Sequence, residues 1–216
     1  MIGPKTLKRV DKLVIENVKE FELEQFALDT LESDSVKIIN ATFSSMSAKE
    51  VKPKFIKEEL LLHHSTLPSN FAIYLTESPI VKQTAPLVVI EDCQINAGLQ
   101  MVVNVTNLQM INNRFQRLPT KQSYDVYFTE SVSLRGNTLM NGARLSDVNN
   151  KGEIKKYERL LDKDAADFSD AFVFHFNQVK SFRNEANSPS PVHGTTLLTI
   201  MPIIVSIISY PLCFLI

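Results

Sequence analysis

The stretch Leu108-Gln-Met-Ile-Asn-Asn-Arg-Phe115 decides the fold. Leu108 and Met110 alternate with Gln109 and Ile111, the period of a strand with one face turned inward. Asn112 and Asn113 follow where the chain must bend within one or two residues. Asn, Asp and Gly tolerate the left-handed conformation such a bend requires. The next apolar residue, Phe115, then points back inside. The pattern is apolar–x–apolar–x–(Asn/Asp/Gly)–(Asn/small)–x–apolar.

Working outward, the pattern recurs as Val36-Lys-Ile-Ile-Asn-Ala-Thr-Phe43, Val88-Val-Ile-Glu-Asp-Cys-Gln-Ile95 and Val132-Ser-Leu-Arg-Gly-Asn-Thr-Leu139. Leu60-Leu-Leu-His-His-Ser-Thr-Leu67 keeps the apolar positions. Phe172-Val-Phe-His-Phe-Asn-Gln-Val179 is a looser copy, and Leu13-Val-Ile-Glu-Asn-Val begins a degenerate one. The starts fall at 13, 36, 60, 88, 108, 132 and 172, with spacings of 23, 24, 28, 20, 24 and 40. A period in the low twenties is one coil of a β-solenoid. The spacing of 40 reads as one coil plus a charged insertion at 144–167. Within it, 153–161 is expected to form a short helix with Ile154, Tyr157, Leu160 and Leu161 on one side.

Stacked coils bring equivalent side chains about 4.8 Å apart. Phe43, Ile95, Phe115 and Leu139 are expected to form one internal column, and Ile38, Leu62, Ile90, Met110 and Leu134 another. A further strand precedes the motif. Residues 71–78 (FAIYLTES) and 124–131 (YDVYFTES) nearly copy each other, and 99–105 occupies the same place before Leu108. One coil therefore reads as strand, polar turn, strand, Asn-containing bend, short strand.

These residues resemble the repeats of right-handed parallel β-helices of the pectate-lyase-like type, most closely over 99–118 and 126–142. The resemblance implies an all-β, right-handed parallel β-helix of about seven coils covering residues 1–183. A C-terminal hydrophobic helix would follow. Leucine-rich repeats are the runner-up, since Leu108-x-Met-x-x-Asn-x-Phe-x-x-Leu118 and Phe172-x-Phe-x-x-Asn-x-Val-x-x-Phe182 fit their strand-plus-Asn segment. The sequence departs from that family: the apolar residue three before the strand is missing at Ser33, Ala85, Thr129 and Ser169. The strand before each motif also alternates where a leucine-rich repeat places its convex side.

Composition excludes several function classes. The chain has 216 residues, 23 basic against 24 acidic, and a net charge of −1, so the basic stripe of a nucleic-acid binder is absent. Cys93 is alone once Cys213 is assigned to the hydrophobic tail, which rules out a disulfide framework within one copy and a Cys-based zinc site. No cofactor is expected, since no phosphate-binding Gly loop occurs.

No catalytic constellation stands out. Many β-helix proteins of the resembled family are carbohydrate-active enzymes with clustered carboxylates on one outer face. The alternative that this chain is such an enzyme rests on Thr-Glu-Ser at Glu77 and Glu130, which equivalent coils would bring near each other. The simpler reading is a polar turn that repeats because the coil repeats, and the same holds for Glu91, Asp92 and Asp125. The Gly-His-Gly turn of galacturonan hydrolases is absent. His63-His64 offers half of a metal site, but no third ligand follows from spacing. His175 is expected to point outward, and Cys93 to be a small core residue. Asn40 and Asn104 head glycosylation sequons. Asn104, between inward Val103 and Val105, is the preferred acceptor, and Asn40 belongs to the bend column.

Residues 197–216 carry no charge, and twenty residues of helix span about 30 Å, the hydrocarbon thickness of a bilayer. Pro202 and Pro211 are tolerated better in lipid than in water. A polar linker at 184–196 precedes this run. Small residues, a polar spacer and an apolar tail form the pattern of a glycolipid (GPI) anchor signal, with attachment at Asn184, Ala186, Asn187 or Ser188. A single transmembrane span and a tail anchor with a cytosolic body are the alternatives. The opening residues show no signal-peptide h-region, which weighs against a lumenal body unless a further piece lies upstream. The expectation is thus a membrane-tethered, non-enzymatic solenoid at the cell surface or in the secretory pathway, with a protein or carbohydrate ligand.

Overall fold

The computed structural model describes residues 7–24, 27–44, 50–76, 86–151, 158–160 and 165–176. The strands are β1 (Arg9–Glu16), β2 (Glu32–Ile39), β3 (Glu50–Val51), β4 (Phe55–His63), β5 (Thr66–Leu67), β6 (Ala72–Leu75), β7 (Leu87–Glu91), β8 (Gln94–Ile95), β9 (Gln100–Ile111), β10 (Arg114–Phe115), β11 (Tyr124–Arg135), β12 (Thr138–Leu139), β13 (Asp147–Asn150), β14 (Glu158–Leu160) and β15 (Phe172–Phe176). They wind into a parallel β-solenoid. The larger sheet runs β1-β2-β4-β7-β9-β11-β13-β14, with β3-β6-β9 and β11-β15 pairings alongside. A separate parallel sheet runs β12-β10-β8-β5.

Six of the repeat starts lie in one column: Leu13 opposite Val36, Val36 opposite Leu60, Leu60 opposite Val88, Val88 opposite Leu108 and Leu108 opposite Val132. Both expected internal columns are present. Ile15, Ile38, Leu62, Ile90, Met110 and Leu134 pair in succession and are buried. Leu67, Ile95, Phe115 and Leu139 form the second column. Phe43 and Phe21 extend it, their rings edge-on at 5.3 Å. Stacking like on like lets each coil bury its apolar face against the next, so the core is continuous along the solenoid.

The bend is built twice over, on adjacent residues. Asn17, Asn40, His64, Asp92, Asn112 and Gly136 stand one residue past the paired strand ends, all with φ between 48° and 64°. The left-handed conformation turns the chain while each backbone N–H from Asn17 to Asn112 still donates to the next coil. The following residues, Ala41, Ser65, Cys93, Asn113 and Asn137, point inward and are buried. Bending there strands one N–H and one C=O in each coil, and burying them unpaired is costly. Where the inward residue of the next coil is Ser65, Asn113 or Asn137, its side chain satisfies them. Asn113 Nδ2 donates to Ile90 O at 2.8 Å, and Cys93 N–H donates to Asn113 Oδ1 at 3.0 Å. Asn137 repeats this on Met110 O and Asn113 N–H. Ser65 Oγ bonds Ile38 O and Ala41 N–H in the same way.

Four expectations need correction. First, the solenoid has about five turns rather than seven. Second, the copy at Phe172 does not occupy the motif column. Phe172 pairs with Tyr124 and Phe176 with Phe128, so β15 is a first strand of a coil. Both strand types alternate apolar and polar residues, and alternation alone cannot tell them apart. Third, Phe71 is not equivalent to Tyr124. Ile73 pairs with Met101 and Met101 with Tyr124, a shift of two residues. Such a shift keeps every side chain on its face, so the hydrophobic pattern does not resist it. Fourth, Glu158–Leu160 is a strand antiparallel to β13, where a helix over 153–161 was expected. Pairing supplies its backbone hydrogen bonds and overrides a helical apolar spacing.

Of the insertion at 144–167, β13 and β14 lie at one end of the larger sheet. β13 runs antiparallel to β11, with Val148 opposite Leu134. Phe168, fully buried, lies edge-on to Phe115 at 5.1 Å and to Phe172 at 5.2 Å. The chain divides after Val179. The C-terminal helix expected over 197–216 and the linker at 184–196 lie outside the described residues.

Candidate functional site

Three groups of outward side chains are assembled from different coils. The first sits on the bend ridge. His63 and His64 close one motif strand, and Glu91 and Asp92 close the next, with His63 directly opposite Glu91. His64 Nδ1 and His63 Nε2 are 2.7 Å apart, and the rings stand edge-on with centroids at 4.2 Å. His63 Nδ1 lies 3.4 Å from Glu91 Oε2, and His64 Nδ1 lies 3.9 Å from Asp92 Oδ2. A donor atom of His63, of His64 and of Asp92 all lie within 4.8 Å of one another. Coil stacking thus supplies the third donor that spacing along the chain did not reveal. The missed signal was the alignment of two repeat copies, in which His63-His64 falls over Glu91-Asp92.

The second group lies on β11 and β15. His175 Nε2 and Asp125 Oδ1 are 2.8 Å apart. The His175 ring stacks on Tyr127, centroids 4.2 Å apart and planes at 11°. His175 and Asp125 are each about two-fifths exposed, at 40% and 38%, so the outward direction expected for His175 holds. Asn104 is the neighbour of Tyr127 on the other side.

The third group follows from a β-bulge in β11 between Phe128 and Ser131. An extra residue there turns Glu130 outward. Asn107 Nδ2 donates to Glu130 Oε2 at 2.9 Å, and Ser131 Oγ donates to Asn107 Oδ1 at 2.6 Å. Glu77, its expected counterpart, lies outside the described residues.

Cys93 is buried. Desolvation raises its thiol to about 12, against the smaller pull of its hydrogen bonds with the Ser65 and Glu91 backbones, which leaves it a poor nucleophile. Asn40 is exposed on the bend and donates to Asn17 Oδ1 at 2.7 Å. Asn104 is half-buried within the sheet, between fully buried Val103 and Val105. The anchor-attachment candidates Asn184, Ala186, Asn187 and Ser188 lie outside the described residues. Among the described residues no helix is long and apolar enough to cross a membrane. The structure thus defines the class, a parallel β-solenoid. No protein-family model, curated protein or solved structure matches the chain.

Proposed function

We propose that this chain is a membrane-tethered, non-enzymatic β-solenoid whose outer face binds a protein or a carbohydrate. Within β-solenoids we assign it to the right-handed, pectate-lyase-like helices, on the strand–turn–strand–Asn-bend order of its coils. The observation that carries the reading is the uncharged run at 197–216, twenty residues long and long enough to cross the hydrocarbon of a bilayer. The binding part is supported by the Asp125–Tyr127–His175 group. It offers a stacked aromatic surface beside a carboxylate, on strands held by continuous ladders. If the body faces the secretory lumen, Asn40 on its exposed bend is a better-placed glycan acceptor than Asn104, because acceptors lie on surface loops.

Cell fractionation tests the tether. Full-length protein, followed with an internal epitope, is expected to stay with membranes through alkaline carbonate extraction. Release by phosphatidylinositol-specific phospholipase would identify the glycolipid form, and retention would identify a span. Extraction by carbonate with residues 197–216 still attached would overturn the reading.

A further inference from the structure

We propose that His63, His64 and Asp92, supported by Glu91, form a binding site for a divalent transition-metal ion of the Zn²⁺ class on the bend ridge. Both ring nitrogens that face each other, His63 Nε2 and His64 Nδ1, belong to side chains whose backbones are fixed by the coil ladder. Asn40 N–H donates to His63 O at 2.9 Å, and His64 N–H donates to Glu91 O at 3.1 Å. His64 is held at φ 48°, which turns its ring onto the same ridge as that of His63. The next coil brings Asp92 up in the same conformation, at φ 51°. The donors therefore sit on a preformed frame.

The donor chemistry selects the ion. Two imidazoles and a carboxylate suit Zn²⁺ and its neighbours, whereas Mg²⁺ and Ca²⁺ take oxygen ligands. On a tetrahedral Zn²⁺ at about 2.0–2.1 Å, ligand atoms stand roughly 3.3 Å apart. The present separations, 2.7 Å between the imidazole nitrogens and 3.9 Å from His64 Nδ1 to Asp92 Oδ2, lie on either side of that value. Small rotations of partly exposed side chains reconcile them. Glu91 has the place of an outer partner. Accepting from His63 Nδ1–H, it leaves the Nε2 lone pair directed at the site, as carboxylate–histidine–metal arrangements do. A water is left to complete the coordination.

The donor set is local to these two coils. The same bend column carries Asn17, Asn40, Asn112 and Gly136 elsewhere, and the column beside it carries Glu16, Ile39, Ile111 and Arg135. A bend needs only a residue that tolerates the left-handed region, which Asn and Gly provide at less cost than His. Paired histidines facing paired carboxylates exceed what the turn requires.

Calorimetric titration of untagged, metal-free full-length protein in detergent micelles tests the site, with ZnCl₂ and, separately, MgCl₂. One Zn²⁺ per chain is expected, with no saturable Mg²⁺ uptake. His63→Gln, His64→Asn and Asp92→Asn are each expected to weaken Zn²⁺ binding at least tenfold. His64→Asn and Asp92→Asn keep a residue that the bend column already accepts. Unchanged far-UV circular dichroism then separates loss of the site from loss of the fold. Absence of saturable Zn²⁺ uptake below about 1 mM by folded protein would overturn the proposal. So would unaltered affinity in the double variant His63→Gln/His64→Asn.

Discussion

Asn113 and Asn137, equivalent residues of consecutive coils, share a single oxygen: Asn137 Oδ1 accepts from both the backbone N–H of Asn113 at 3.0 Å and its side-chain amide at 3.1 Å. Both residues are buried. This inner ladder joins coils at the bend, where the backbone ladder is interrupted. Asn113→Ala leaves Ile90 C=O and Cys93 N–H buried without partners, at about 1–3 kcal/mol each. Urea unfolding is expected to show a loss of roughly 2–6 kcal/mol. Adding Asn137→Ala is expected to cost less than the sum of the two single losses, because the residues share one network.

Gly136 occupies the bend column with φ 64°, and a Cβ there would run into Asn112 Oδ1. Gly142, at φ 86°, has open space around it. Gly136→Ala therefore carries a steric cost besides the backbone strain of about 1–2 kcal/mol, and Gly142→Ala only the strain. Thermal unfolding is expected to place Gly136→Ala below Gly142→Ala. Asn112→Gly is expected to recover part of the difference, since it removes the obstructing oxygen.

Cys93 is buried with its thiol raised by desolvation from an ordinary value of 9.0 to about 12. In a Cys213→Ser background, iodoacetamide is expected to leave the folded protein unmodified at pH 8 and to react once urea is added. The linkage has a definite sign. The folded-state value lies above the unfolded one, so the contribution to stability is complete below pH 9 and is lost as pH rises toward 12. Buried Tyr124, also raised by desolvation, acts in the same direction. Stability measured across that window is expected to fall, and Cys93→Ser is expected to make the fall shallower.

Tyr124 and Phe115 test the two kinds of core contact. The Tyr124 hydroxyl is buried and has no hydrogen-bond partner among the described residues. Tyr124→Phe is therefore expected to leave stability unchanged or raise it by about 1 kcal/mol, since the desolvated hydroxyl is removed. Phe115 stacks in the Leu67–Leu139 column and meets Phe168 edge-on. Phe115→Ala is expected to cost about 3–5 kcal/mol. Denaturant midpoints of the two variants check both signs.

Much of the coil was legible because the repeat is chemical as well as periodic. Alternation marked the strands, and Asn112-Asn113, Asp92-Cys93 and Gly136-Asn137 marked the bend. Six copies aligned without gaps in the motif column. The seventh failed because Phe172-Val-Phe-His-Phe satisfies either strand position of a coil. Only the closing hairpin of β13 and β14, which takes the motif position beside β11, decides which strand it becomes. Glu158–Leu160 departs from its helical spacing for a related reason, since its hydrogen bonds come from β13 rather than from its own turn.

The sequence by itself determined that the chain coils, where it bends and which side chains face inward. Those properties follow from local periodicity and from the few residue types that tolerate a left-handed bend. Only the tertiary structure decided how the strands before the motif align from coil to coil, and which strand of a coil Phe172–Phe176 becomes. A two-residue slip preserves every inward face and so leaves no trace in the pattern. The placement of that last strand brings His175 against Asp125 and Tyr127, whereas His63-His64 beside Glu91-Asp92 already follows from the motif alignment. Residues twenty-eight or more positions apart become neighbours because adjacent coils lie only about 4.8 Å apart.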